Sequence, residues 1–181
     1  MLRLFLAFDV PEERRRSIER AVEPLRGTVP AARWTVRESW HVTLTFLGST
    51  PEERLPEVTS LAAHAAAASS LTSSALTGLG AFPGARRARV LWVGLVDHGV
   101  LGALTAALET VFAGAGFPAE DRPWRPHLTV ARLKVPGPVD LAGAGEVDAT
   151  PFPVEEMVLF RSHLKPSGAV YEPLARFRLG G

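Results

Sequence analysis

Two histidines stand in the same local pattern 86 residues apart, in "HVTLTFLG" at residues 41–48 and "HLTVARLK" at residues 127–134. Each stretch reads His-apolar-Thr-apolar. Side chains alternate across a strand, so His41 shares a face with Thr43, and His127 shares a face with Thr129. The same parity sets Val42, Leu44 and Phe46 behind the first pair, and Leu128 and Val130 behind the second. If both strands line one groove, two imidazoles and two hydroxyls converge on a small volume. That quartet suits displacement at a phosphate ester, where one group takes a proton from the entering oxygen and another gives one to the leaving oxygen. An imidazole with a pKa of about 6.5 can fill either role near neutrality. Threonine hydroxyls can donate to the non-bridging oxygens, whose charge needs support in the transition state. No metal is required where the substrate carries an internal leaving group, as a cyclic phosphate does.

A single His-x-Thr on a strand is more often a hydrogen-bonded, half-buried histidine than a catalyst. Two copies in the same apolar alternation favour catalysis. A zinc site is disfavoured, because such sites need three or four N, S or O ligands and threonine is a poor one. The chain has no HExxH, no His-x-His, no P-loop and no GxSxG. It also has no cysteine, which removes disulfides, thiolate nucleophiles and Cys-type zinc sites.

The elements that must position the motifs follow from composition and periodicity. With 181 residues, 46% of them hydrophobic, the chain can bury a sizeable core. Its 20 basic and 19 acidic residues leave a net charge of +1, so any nucleic-acid contact must be local. No segment approaches the roughly 20 apolar residues that span a bilayer, and the short N-terminal apolar run reaches Asp9 too soon for a signal peptide. A soluble, cytoplasmic, monomeric protein without a membrane or obligate protein partner is the expectation.

"RLFLAFDV" (3–10) reads as a buried strand, followed by a helix that starts after Pro11 and carries Ile18, Val22 and Leu25 on one stripe. Arg14, Arg15 and Arg16 then fall on its solvated face, neutralised by Glu12, Glu13 and Glu19. "ARWTV" is a short strand. Thr50, Pro51 and Glu53 have the form of a capping box for a second helix, where His64 is a surface residue. "SALTGLGAF" and "ARVLWVGLV" form a hairpin with Arg86, Arg87 and Arg89 at its turn, and a third helix covers about residues 99–114. Two strands, "VEEMVLF" and "AVYEPLARF", close the chain through "KPSG", where Pro166 and Gly168 are turn formers. The reading is α+β: one unit over 1–181 built of two intertwined lobes, with mostly antiparallel sheets lining a central cleft and helices outside.

The two motifs, together with "RLFLAFDVP", "ARWTVRESWHVTLTFLG", "RVLWVGL", "RPHLTVARLK" and "LFRSHLKPSGAVYEPLARF", resemble the two-histidine (2H) phosphoesterase superfamily. Within it they are most similar to the RNA 2',3'-cyclic phosphodiesterases, historically named 2'-5' RNA ligases. The resemblance implies a pseudo-two-fold, bilobal fold and metal-free, cofactor-free hydrolysis of RNA 2',3'-cyclic phosphate ends to 2'-phosphates, with reversible 2'-5' ligation as the same chemistry run backwards. It implies His41 as proton donor, His127 as proton acceptor, and Thr43 and Thr129 as phosphate-binding residues. Small cyclic nucleotides or 2'-5' oligonucleotides are the alternative substrates, and a non-catalytic nucleotide- or RNA-binding module the alternative role.

Arg125 and Arg132 are candidate phosphate contacts. Arg125 has the parity of His127, whereas an uninterrupted strand puts Arg132 on the opposite face. Phe8, Trp34, Trp92, Trp124 and Tyr171 read as core aromatics rather than base-stacking residues. His163, beside the final turn, reads as surface.

Overall fold

A computed structural model of the chain describes residues 1–165 and 168–180. In chain order the strands and helices are β1 (Leu2–Asp9), α1 (Glu12–Thr28), β2 (Ala32–Trp34), β3 (His41–Thr50), α2 (Leu55–Ala67), β4 (Thr72–Ser74), β5 (Leu76–Phe82), β6 (Ala88–Leu95), α3 (Val100–Gly114), β7 (His127–Gly137), β8 (Phe152–Val154), β9 (Glu156–Lys165) and β10 (Gly168–Arg178). The strands run in the order β10-β9-β1-β3-β7-β6-β5, with β2 on a separate stretch of β7 and a small β4–β8 ribbon apart. The pairings are antiparallel. The α+β, antiparallel architecture expected from the sequence is therefore the one observed. No helix among the described residues is long and apolar enough to cross a membrane.

The motif strands β3 and β7 sit in the middle and meet through one register pair, Val42 with Leu128. Two half-sheets therefore diverge from that point. Their outer face carries the main core, where Ile18 and Val22 of α1, Val58 and Ala62 of α2, and Leu101, Leu104, Leu108 and Phe112 of α3 pack on Leu4, Leu6, Val42, Leu91, Leu128 and Val130. Each helix contributes the apolar stripe of an amphipathic element. The inner face carries a second, smaller cluster of Phe5, Ala7, Val158 and Phe160 with Tyr171 against it.

Both motif strands break their alternation at the same place. On β3, Leu6 pairs with Thr45 and Ala7 with Thr43, so Leu44 is an extra residue; on β7, Leu91 pairs with Ala131 and Trp92 with Thr129, so Val130 is extra. These are β-bulges, with two consecutive residues directed to the core. Beyond each one the parity inverts. Phe46, expected behind the motif, is instead on the inner face and 61% exposed, and Arg132 follows it to that face on the other strand. The bulges are tied from the helix side and from β2's flank. The buried Thr45 hydroxyl donates to Glu109 on α3, whose other oxygen accepts the Glu120 N–H at 3.1 Å. The Thr129 and Val130 carbonyls accept the Thr35 hydroxyl at 3.1 and 2.9 Å, and that hydroxyl accepts the Trp40 indole N–H at 2.7 Å.

Two local expectations change. Thr50 ends β3 opposite Leu2 and caps nothing; a 3-10 turn at Glu52–Arg54 precedes α2, which has no side-chain cap. The strand's last pair has already taken the residue that a capping box needs. Arg14 and Arg15 are not solvated: Arg14 binds Asp148 and the Thr150 carbonyl, and Arg15 binds Asp9 at 3.1 Å and the Val10 carbonyl at 2.7 Å. Arg16 alone of the three keeps the helix-surface pairing, with Glu12. His163 pairs with Glu172 at 2.7 Å on the final hairpin, and the expected turn residue Pro166 lies outside the described residues.

Because Thr45 is buried and its hydroxyl meets a carboxylate, Thr45→Val keeps the shape and removes only the bond. Its expected cost is about 1–3 kcal/mol, read from the urea midpoint of unfolding. An unchanged midpoint would show that the bulge does not depend on Glu109.

Candidate active site

The pair Val42–Leu128 in antiparallel register sets His41 across from Thr129 and Thr43 across from His127. All four side chains belong to the inner face and all four residues are half-buried. A further convergence follows from the bulge, since the Arg132 charge acts on both imidazoles and on Tyr171. Arg125 differs. Its side chain is exposed ahead of β7, and its backbone carbonyl is the group that meets the site.

Each ring is held the same way. His41 Nδ1 lies 2.8 Å from the carbonyl of Ser39, and His127 Nδ1 lies 2.7 Å from that of Arg125. A carbonyl only accepts, so Nδ1 carries the proton in both and Nε2 is left with a free lone pair. The tether comes from two residues upstream in each motif, and the strand start sets it. The Trp124 indole N–H, donating to the Thr43 carbonyl at 2.9 Å, closes the gap where β7 leaves β3.

The surroundings of the two rings differ. His41 is edge-on to Tyr171 at 4.8 Å and tilted on Phe5 at 4.8 Å, with Phe160 at 5.9 Å. His127 is edge-on to Phe82 at 5.0 Å and steeply inclined, at 67°, to Trp92 at 6.4 Å. Of the aromatics read as core from the sequence, Phe8 is core, but Trp92 and Tyr171 line the histidines. Phe5, Phe82 and Phe160 join them. The signal available for these is their alternation on strands flanking a motif strand, which has meaning only once the strand order is known.

Desolvation by this apolar packing pushes the His41 pKa down to about 4, opposed by the Ser39 carbonyl and reinforced by the nearby charges of Arg15 and Arg132. Burial also lowers His127, against the Arg125 carbonyl and with Arg132. Burial raises the Tyr171 hydroxyl. At neutral pH both imidazoles are therefore neutral in the free protein, and each presents a basic Nε2. The cleft is a low-dielectric site with a guanidinium acting on both rings, a setting that favours an anion. Among the described residues no group of three or more His, Asp or Glu side chains converges as a metal-binding cluster.

Known proteins resemble this chain over most of its length. The family model of the 2'-5' RNA ligase superfamily matches residues 11–166. An RNA 2',3'-cyclic phosphodiesterase of Thermus thermophilus is 35% identical, covering 99% of this chain and 91% of the relative. One of Methanothermobacter thermautotrophicus is 30% identical, covering 98% and 99%. Among solved structures, TT0787 of Thermus thermophilus superposes with a TM-score of 0.86 at 33% identity, over 99% of both chains. Escherichia coli LigT complexed with 3'-AMP gives 0.80 at 26% identity, again over 99% of both chains.

The depressed His41 has a measurable effect on stability. Between pH 6.5 and about 4 the unfolded chain binds a proton that the folded chain refuses, so stability is complete above pH 6.5 and falls with acidification. On going from pH 7 to 4.5, the unfolding free energy should drop by about 2–3 kcal/mol more in the wild type than in His41→Ala. Equal losses in urea titrations at the two pH values would mean that His41 is not held neutral by the fold.

Proposed function

Because the chain belongs to the 2'-5' RNA ligase superfamily, we propose that it hydrolyses 2',3'-cyclic phosphate ends of RNA to 2'-phosphates, using His41 and His127 as acid and base. The observation that carries this reading is the matched tethering of the two imidazoles, each with Nδ1 on a carbonyl and each across from the other motif's threonine. Such a pair flanks a phosphorus atom from two sides, as in-line displacement requires.

In this mechanism His127 Nε2 takes a proton from water as its oxygen bonds to phosphorus. The bond from phosphorus to the 3'-oxygen breaks, and His41, protonated on Nε2, gives its proton to that oxygen. Phosphate stays on the 2'-oxygen and a 3'-hydroxyl is released. Thr43 and Thr129 donate to the non-bridging oxygens, and Arg132 supplies positive charge to the same group. The strained ring provides the leaving group, so the scheme asks for no metal. His41 acquires its proton when the anionic phosphate enters. The substrate's negative charge offsets the repulsion from Arg15 and Arg132, and the Ser39 carbonyl steadies the cation on the Nδ1 side. We read the whole of residues 1–181 as one monomeric catalytic unit, acting on RNA ends and on small nucleotides with the same ring.

Incubation of an oligonucleotide ending in 2',3'-cyclic phosphate, with chelator present and phosphorus NMR to place the product phosphate, tests the reading directly. A 2'-phosphate is expected, with His41→Ala and His127→Ala each slower by about 10²–10⁴. No turnover by folded wild type, or activity that needs added metal, would overturn it. The pH dependence adds a second check. Productive enzyme holds one proton between two rings whose free-state pKa values lie below 6.5. The kcat/KM profile should therefore be bell-shaped, with its alkaline limb falling from below pH 6.5, and the kcat profile should lie at higher pH because bound phosphate raises both pKa values. A kcat/KM plateau extending above pH 8 would contradict this.

A further inference from the structure

The His127 side of the cleft carries a surface whose construction hydrolysis by water does not explain. Trp92 pairs with Thr129 across β6–β7 and with Gly80 across β5–β6. A Cβ at Gly80 would lie 2.3 Å from the indole's six-membered ring, and one at Gly94 would lie 2.4 Å from the Thr77 hydroxyl and 3.0 Å from the ring's far edge. The indole is therefore laid flat on the hairpin, filling space that only glycine leaves at position 80 and reaching the edge of Gly94, where the Thr77 hydroxyl is closer still. Its N–H is buried without a hydrogen-bond partner, so packing and not hydrogen bonding sets the ring's orientation. A buried unpaired donor is a cost that folds seldom keep without a reason. Phe82 extends the surface, 5.0 Å from Trp92 and tilted by 34°. Trp92 stays half-buried, so part of the flat ring remains open beside His127.

The other side is built differently. Beside His41, Phe5 and Phe160 are 3% and 7% exposed and Tyr171 meets the imidazole edge-on, which leaves Phe46 as the exposed aromatic of that half. The two walls thus flank opposite ends of the in-line axis. With His41 facing the leaving 3'-oxygen, as the proposed hydrolysis requires, the ribose and base of the cyclic nucleotide lie on its side. His127 faces the entering oxygen. Water needs no wall there, whereas a nucleoside does.

We infer that Trp92, with Phe82, is the subsite for the nucleoside whose 5'-oxygen enters or leaves at His127 in the 2'-5' chemistry that the family resemblance implies, and so sets the preference for a 2'-5'-linked substrate over the cyclic one. This rests on the proposed function and on its assignment of His127 as base. In the cleavage direction the upstream 3'-hydroxyl gives its proton to His41 Nε2 and its oxygen bonds to phosphorus. The bond from phosphorus to the 5'-oxygen breaks, and His127 gives that oxygen its proton. The products are a 2',3'-cyclic phosphate and a free 5'-hydroxyl nucleoside, with no change of oxidation state. Stacking of the departing base on the indole holds the nucleoside in line.

The test compares kcat/KM for a 2'-5'-linked adenylyl dinucleotide with kcat/KM for adenosine 2',3'-cyclic phosphate, in wild type, Trp92→Leu and Trp92→Phe. The expected result is a fall of about tenfold in the ratio of dinucleotide to cyclic substrate for Trp92→Leu, largely restored in Trp92→Phe, with circular dichroism confirming folded protein. Equal losses on both substrates, or a larger loss on the cyclic nucleotide, would overturn the inference, placing Trp92 in general support of the cleft or under the cyclic nucleotide's own base. Wild type that cleaves the cyclic substrate and leaves the dinucleotide intact would also overturn it, while leaving the proposed hydrolysis standing. Failure of wild type on the cyclic substrate would instead bring down the proposed function itself.

Discussion

One register pair, Val42 with Leu128, sets how the two half-sheets are aligned, and the geometry of the cleft depends on it. A one-residue slip in an antiparallel pair moves a strand's side chains to the other face. Here such a slip would send one histidine and its threonine into the main core and bring apolar residues into the cleft. The slip is prevented from behind. Val42, Leu44, Leu128 and Val130 are all 3% exposed or less in the core that α1, α2 and α3 cover, so a shift would bury two polar groups and expose several apolar ones. Each apolar side chain brought out of a core into water costs about 1.5–3 kcal/mol. The core thus guards a contact in which it takes no chemical part.

The bulges explain both what the sequence shows and what it hides. Strict alternation from His41 or His127 correctly separates His and Thr from the core residues between them, because those residues precede the extra residue on each strand. It fails after Leu44 and after Val130. Nothing in "HVTLTF" or "HLTVAR" marks two successive residues as both core-facing, since Thr45 and Ala131 are compatible with either face. Alternation alone thus puts Arg132 on the wrong face and Phe46 in the wrong layer. What decides the matter is tertiary: Glu109 on α3 receives the Thr45 hydroxyl, and Thr35 meets the carbonyls of the β7 bulge. The three helices and the long strands are legible from local periodicity. The short ribbon of β4 and β8 is not, as three-residue strands made of "TSS" and "FPV" have no period to read.

Electrostatics in the cleft follows from placing imidazoles where water is scarce. Two neutral rings beside a guanidinium are tolerable in the free protein because neither ring is charged; an imidazolium there would face Arg132 in a poorly screened setting. An arriving phosphate changes the sign of the local field, after which a proton on one ring is favoured. Desolvation therefore does more than lower a pKa. In the proposed mechanism it makes the protonation state conditional on the ligand, so that the acid is created where and when its leaving group is present.

The approximate two-fold relation between the motifs supplies equivalence, while acid–base chemistry needs difference. Backbone accounts for the equivalence: the same tether two residues upstream, the same threonine opposite, the same bulge after it. Side chains outside the motifs account for the difference. Phe5, Phe160 and Tyr171 close around His41 and drive its pKa to about 4, whereas His127 stands against Phe82 and a Trp92 laid over Gly80. The strands that carry these aromatics, β1, β9 and β10 on one side and β5 and β6 on the other, belong to one half-sheet each. In the proposed mechanism the repeated motif fixes where phosphorus sits. The unrepeated walls decide what each imidazole does to it and what kind of group can stand behind each departing or entering oxygen.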